Sequence, residues 1–279
     1  MPVAVIDIGT NTTRLLVAEV EDAKVVELER RTTITSLGQG VDASGRLAQE
    51  AMDRVAEAIA VYREVIDRLG VERVVALATS AMRDSENGPE FRDFLKDRFG
   101  IEARTISGDE EARLTFLGAT SERNDDGESV VIDIGGGSTE YVVGRPGHDP
   151  SFHVSTQMGS VRFTERFEDL GEMAAAVRET VPDVSVGQGI AVAGTATSLA
   201  AIDGAEEVHG YRLPLATCER LVAMLAALPL EERRNVKGLH PGRAPTIVAG
   251  AVILTESIRS FGLEEVEVSA RDILHGAAL

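Results

Sequence analysis

The chain has no tryptophan, one cysteine and only three lysines, and aromatic residues make up 4% of its 279 positions. Each shortage excludes something. A lone Cys218 closes no internal disulfide and fits a reducing cytoplasm. It reads as a small core residue of a helix rather than a nucleophile. No histidine stands in a zinc-ligand or triad spacing. The start, MPVAVIDIGTN, lacks the basic region and cleavage pattern of a signal peptide. The longest apolar runs, TIVAGAVIL and LVAMLAAL, are about half of the roughly 20 residues that span a bilayer. A soluble, cytoplasmic protein with no membrane partner is expected. Positive charge is also short: 28 Lys plus Arg face 46 Asp plus Glu, a net charge of −18. That balance argues against nucleic acid as a partner. The scarcity of lysine among the cations fits a GC-rich genome, and equally fits adaptation to high internal salt, where screening relieves carboxylate repulsion.

What is present is a 43% hydrophobic chain, rich enough to bury the core of two modest domains. It carries an internal echo. VAVIDIGTNTTRLLVAEV (residues 3–20) and SVVIDIGGGSTEYVVGR (residues 129–145) share a plan: an apolar strand, an Asp-Ile-Gly turn, small polar residues, then a second β-rich run. Each reads as a hairpin. The two aspartates lie 126 residues apart, a spacing that suggests a duplicated domain. After each hairpin, helix and strand signals alternate. Leu47, Ala51, Val55, Ile59, Tyr62, Ile66 and Leu69 form a helical stripe, followed by a strand at VERVVALATS, a helix at GPEFRDFLKDRFG, a strand at IEARTIS and a helix at EEARLTFLGAT. The second half adds a strand at GIAVAG, helices around Cys218 and over residues 245–259, and a strand at EEVEVSA. The alternation predicts an α/β protein with a mixed, mostly parallel sheet in each half. The polar stretch 121–129 is the linker candidate. The expected domains are 1–120, which a C-terminal helix over 270–279 could complete, and 121–269.

Glycines at the end of a strand let backbone N–H groups approach an anion. Gly135, Gly136 and Gly137, with the Ser138 and Thr139 hydroxyls, therefore suggest a phosphate-binding turn. An aspartate beside a phosphate repels it unless a cation lies between them, so Asp133 suggests a Mg²⁺ ligand. The alternative is a tight turn whose glycines only supply positive φ. In the first copy Asp7 could share the metal. Thr10, Asn11 and the Thr12 backbone could grip phosphate, and Arg14 could add a charge-assisted bond. A third small-residue loop, VAGTATSLAA, puts Gly194 and Thr195 at the start of a helix, as an anion site or as a capped helix packed tightly on a sheet.

The succession DIGTNTTR, TSAMR, SGDEEA, DIGGGSTE, MGSVRFTE and AGTATSLAA resembles the exopolyphosphatase/guanosine pentaphosphate phosphohydrolase (Ppx/GppA) family of the actin-like ATPase superfamily, from the N-terminus to about Ala201. The family's usual DIGSNS is DIGTNT here, which keeps both hydroxyls. The chain resembles a short form that lacks the helical domain of long members. The resemblance implies two actin-like (ribonuclease H-like) domains with an interdomain cleft. It further implies Mg²⁺-dependent release of terminal phosphate from polyphosphate or from guanosine pentaphosphate. It assigns Glu111 as the base that activates water, with Glu110 as the alternative, although acids are favoured in a first helical turn in any case. It makes Arg83 a phosphate clamp and puts Glu140 near the metal. Gly159, Ser160 and Arg162 would line the far wall, and Arg271 would extend the anion path or simply cap the last helix. A non-catalytic sensor binding guanosine tetraphosphate or polyphosphate is the alternative of another class. A homodimer is compatible with the sequence but not required by it.

Overall fold

The computed structural model describes residues 1–279, which divide into two compact units, Met1–Glu122 with Ile273–Leu279 and Arg123–Asp272. The first contains β1 (Val3–Ile8), β2 (Thr12–Glu21), β3 (Lys24–Ile34), α1 (Val41–Ser44), α2 (Gln49–Arg68), β4 (Arg73–Ala78), α3 (Ser80–Arg83), α4 (Gly88–Phe99), β5 (Ala103–Thr105) and α5 (Gly108–Thr120). Its strands lie in the order β3-β2-β1-β4-β5, antiparallel across β3, β2 and β1 and parallel from β1 to β5.

The second unit begins with β6 (Ser129–Ile134), β7 (Thr139–Gly144), β8 (Phe152–Thr156), α6 (Ser160–Arg166) and α7 (Leu170–Thr180). It continues with β9 (Gly189–Val192), α8 (Ala193–Asp203), β10 (Tyr211–Pro214), α9 (Leu215–Ala227), α10 (Leu230–Arg233), α11 (Ile247–Ser260) and β11 (Glu265–Val268). Its sheet, β10-β11-β9-β6-β7-β8, repeats the plan of the first, with β8, β7, β6, β9 and β11 in the places of β3, β2, β1, β4 and β5. The echo seen in the sequence is thus a repeated ribonuclease H-like sheet. No helix is long and apolar enough to cross a membrane.

Alternation along β1 decides what covers each face of the first sheet. Ala4, Ile6 and Ile8 pack with Val55, Ile59, Tyr62 and Ile66 of α2, the stripe the 3–4 spacing predicts. Leu47 is buried just before that helix, whereas Leu69 caps its end and is exposed. Val3 and Val5 face the other way, against Leu274 and Ala278 of the C-terminal helix α12 (Ile273–Ala278). Helix α12 also packs on α5 at very close range: a Cβ on Gly276 would stand 1.9 Å from the Leu114 carbonyl oxygen. Only glycine fits there. Cys218 is fully buried on α9, where burial pushes its thiol up to about 12, so it is inert core.

Strands β3, β8 and β10 carry no clear apolar alternation in the sequence, and all three are sheet edges. Helices α6, α7 and α10 are equally unannounced.

The Gly276 contact gives a stability test. Gly276→Ala should lower the urea midpoint by the equivalent of about 1–3 kcal/mol, the usual cost of overpacking. An unchanged midpoint would mean that α12 does not hold the first unit together.

Candidate active site

Both hairpin turns are built alike. In the second unit the Gly135 N–H closes the turn on the Ser138 carbonyl at 3.0 Å. The loop carbonyls are then claimed from outside. Ser160 N–H and Oγ donate to Gly135 O at 2.9 and 3.1 Å, Val161 N–H to Gly136 O at 2.8 Å, and Arg162 Nε to Gly137 O at 2.7 Å. Thr139 Oγ1 donates to the Met158 carbonyl. A Cβ on Gly159 would lie 2.3 Å from Gly136 O, so the two backbones meet directly. With the carbonyls drawn toward the start of α6, the N–H groups of Gly136, Gly137 and Ser138 make no backbone hydrogen bond. That leaves a nest of donors suited to an anion.

The first unit repeats this. Gly9 N–H closes on Thr12 O at 2.9 Å, Gly38 N–H donates to Thr10 O at 2.8 Å, and Thr35 and Ser36 N–H both donate to Asn11 O at 3.0 Å. Thr10 and Asn11 are each 7% exposed, and their N–H groups have no backbone acceptor. The Gly159–Arg162 stretch was expected as a far wall; it is the clamp of the glycine turn. The equivalent clamp at residues 35–38 went unnoticed in the sequence.

Charge distinguishes the two copies. Asp7 pairs directly across the ladder with Arg14, and Asp133 with Glu140, seven residues on in both cases. Directly opposed residues share a face of the sheet. Arg14 donates to Asp7 Oδ2 through Nε at 3.0 Å and Nη2 at 2.6 Å, so the arginine expected on phosphate is engaged by its own turn's aspartate. Asp133 instead faces a second carboxylate, and both are buried; Ser155 Oγ donates to Glu140 Oε1 at 2.6 Å.

These donors suit Mg²⁺ in kind, being carboxylate oxygens set beside a phosphate-type turn. No three His, Cys, Asp or Glu side chains cluster as a metal cage. Mg²⁺ needs none, since one or two carboxylates with waters and phosphate oxygens suffice.

Glu110 and Glu111 are separated by their partners. Ser107 caps α5 by accepting from Glu110 N–H. Glu110 then turns to Arg104, 2.6 Å away at the surface, and that hydrogen bond holds its carboxyl below the usual value despite partial desolvation. Glu111 is largely buried and meets Arg83 Nη1 at 3.3 Å. The same Nη1 donates to the Ile106 carbonyl at 2.9 Å, fixing the guanidinium. Two residues expected in the site are thereby brought together.

At the third loop Ala193 sits at φ 61°, and α8 starts without a side-chain cap. Thr195 is buried against α11, where a Cβ on Gly250 would reach its Oγ1 at 2.6 Å; close packing accounts for this threonine. The Arg243 guanidinium lies on Gly194, whose Cβ would be 1.9 Å from Nη1. Arg243 was missed because PGRAP reads only as a turn; it adds positive charge beside the N-terminus of α8. The Arg271 backbone is held by Ser269: its N–H donates to Ser269 Oγ and its carbonyl accepts from the same hydroxyl.

A repeated ribonuclease H-like sheet, each copy ending its first strand in a buried aspartate and an amide-lined turn, defines a class of phosphate-handling α/β proteins. The chain matches the Ppx/GppA phosphatase family over residues 16–279 and belongs to it. It is 37% identical to exopolyphosphatase 2 of Mycobacterium tuberculosis, across 99% of this chain and 97% of that protein. The crystal structure of an exopolyphosphatase from Cytophaga hutchinsonii superposes with a TM-score of 0.91 at 26% identity, covering 99% of this chain and 96% of that one. A Ppx/GppA family member from Aquifex aeolicus gives 0.80 at 29% identity, covering 99% and 95%.

The Glu110 bridge yields a pH test. Its folded pKa is lowered, so its stabilisation is complete above the ordinary value of 4.5 and fades as pH falls through the folded value. The melting temperatures of wild type and Glu110→Gln should differ slightly at neutral pH and converge in acid, with turnover unaffected. A gap that widens in acid would contradict the ion pair.

Proposed function

We propose that this protein is an exopolyphosphatase that releases terminal orthophosphate from inorganic polyphosphate, using Mg²⁺. The observation that carries the reading is the end-to-end similarity to exopolyphosphatase 2, in a chain that has two clamped turns and Glu111. Guanosine pentaphosphate ends in the same phosphoanhydride, so the proposal includes it as a second substrate.

The transition state of phosphoryl transfer is loose, and catalysis rests on positioning and charge neutralisation. In this reading the N–H groups of Gly136, Gly137 and Ser138 in the second unit are donors to phosphate oxygens, and those of Thr10 and Asn11 are the corresponding donors of the first unit. Asp133 and Glu140 are the residues of the second unit that would hold Mg²⁺, and Asp7 is the equivalent carboxylate of the first unit. When bound, the ion would neutralise charge on the phosphate oxygens. Glu111 accepts the proton of the attacking water as the new P–O bond forms. The anhydride P–O bond breaks, and its electron pair leaves with the shortened chain. Arg83 orients Glu111 and can offer its remaining donors to phosphate.

Phosphate release from long polyphosphate, tripolyphosphate, guanosine pentaphosphate and ATP, with Mg²⁺ or with EDTA, tests the proposal. Glu111→Gln should lose roughly 10²–10⁴ in kcat while still binding substrate. If Glu110→Gln is the crippled variant instead, the base is misassigned. Asp133→Asn removes one of two facing carboxylates. It should strongly reduce turnover. Mg²⁺ should raise the melting temperature of wild type and not of this variant. Full turnover in EDTA would remove the metal from the mechanism.

A further inference from the structure

One segment of the first unit touches both halves of its expected machinery. Leaving β3, residues 35–47 run from the first hairpin turn to the α3–α4 region. At the near end, Thr35 and Ser36 donate to the Asn11 carbonyl, Gly38 donates to the Thr10 carbonyl, and Ser36 Oγ donates to Asn11 Oδ1 at 3.4 Å. Ser36 is held at φ 48°, a conformation an L residue keeps only when its surroundings impose it. At the far end, Glu86 N–H donates to the Gly45 carbonyl at 2.9 Å. The Asn87 side chain brackets Leu47, accepting from its N–H at 2.8 Å and donating to its carbonyl at 3.0 Å. Between these ends Leu37, Val41 and Leu47 are buried in one core cluster with Ala81 and Met82 of α3.

Gly38 is where the two halves meet. A Cβ there would stand 2.2 Å from Thr10 Cγ2 and 3.3 Å from Ala81 Cβ. Thr10 belongs to the phosphate turn, and Ala81 is two residues before Arg83, the partner of Glu111. Gly38 has no positive φ among the glycines, so the reason for glycine there is the close approach alone.

Resting on the function proposed above, we propose that residues 35–47 are a positioning strap, with Gly38 as its wedge, that sets the spacing between the Thr10–Asn11 turn and the Arg83–Glu111 pair. Carbon atoms pack at about 3.5–4.0 Å, so a methyl group on Gly38 must displace the Thr10 side chain by more than about 1 Å or be driven back onto Ala81 of α3, which already lies inside that range. Rotating the Thr10 side chain to escape moves the hydroxyl that would contact phosphate. Either escape misplaces a group the reaction needs. Thr10→Ser removes Cγ2, the clashing atom, and keeps the hydroxyl.

The experiment is a double-substitution cycle on the full chain: wild type, Gly38→Ala, Thr10→Ser and both together. Each is measured for kcat and KM on tripolyphosphate with Mg²⁺, for tripolyphosphate affinity by calorimetry, and for melting temperature. Gly38→Ala should lower kcat on the order of tenfold to a hundredfold. In the Thr10→Ser background the same change should cost less than about threefold. Undiminished kcat in Gly38→Ala, or an equal loss in both backgrounds, overturns the strap. So does a lowered melting temperature with unchanged kcat per folded molecule. If wild type releases no phosphate, the exopolyphosphatase reading falls, and the strap is then judged by whether tripolyphosphate affinity shows the same rescue. Should Gly38→Ala fail to fold, Asn87→Asp keeps the acceptor for Leu47 N–H and removes the donor to its carbonyl. It should lower kcat severalfold from the far end of the strap, and an unchanged kcat would again overturn the proposal.

Discussion

The architecture of the candidate site depends on one hydrogen-bonding constraint: a turn can offer its N–H groups to an anion only if its carbonyls are satisfied elsewhere. Buried carbonyls left unpaired are costly, and carbonyls aimed at a phosphate would repel it. In both units a segment from outside the hairpin solves this. Ser160, Val161 and Arg162 take the carbonyls of Gly135, Gly136 and Gly137, while Thr35, Ser36 and Gly38 take those of Asn11 and Thr10. The glycines at 38 and 159 follow from the same need, because the clamp lies so close that a Cβ would meet the Thr10 side chain in one copy and the Gly136 backbone in the other. Duplication thus preserved more than a strand order. It preserved a way of satisfying a turn's carbonyls from outside the hairpin.

The copies then diverged in charge. Position seven after the aspartate is Arg14 in one unit and Glu140 in the other, each directly across the ladder from its aspartate. In the first turn an arginine stands opposite the aspartate; in the second a glutamate does. This divergence explains why the second unit is the better candidate for a cation. It also gives Arg14 a direct ionic partner in Asp7.

Much of this was legible in the sequence where burial is two-sided. β1 and β6 are buried throughout, so VAVIDI and SVVIDI stand out as apolar runs, and the echo between them revealed the duplication. Edge strands hid themselves. β3 alternates Glu27, Glu29, Arg30 and Arg31 with few buried residues because one side of it meets solvent. The adjacent acids of SGDEEA were ranked from the sequence only by resemblance. Their partners, Arg104 and Arg83, come from a strand and a helix outside the motif, and only the fold separates them. The strap at residues 35–47 bears no residue that advertises chemistry. Its role lies in backbone contacts, which leave little trace in composition.

The central claim is that the clamped turns present their amides to phosphate. Amide chemical shifts of the ¹⁵N-labelled full chain, followed during titration with tripolyphosphate and Mg²⁺, test it most directly. The account predicts that Gly136, Gly137 and Ser138 shift first and furthest, with Thr10 and Asn11 responding in the same titration. Saturable binding that leaves all five amides unmoved and shifts residues elsewhere would contradict it.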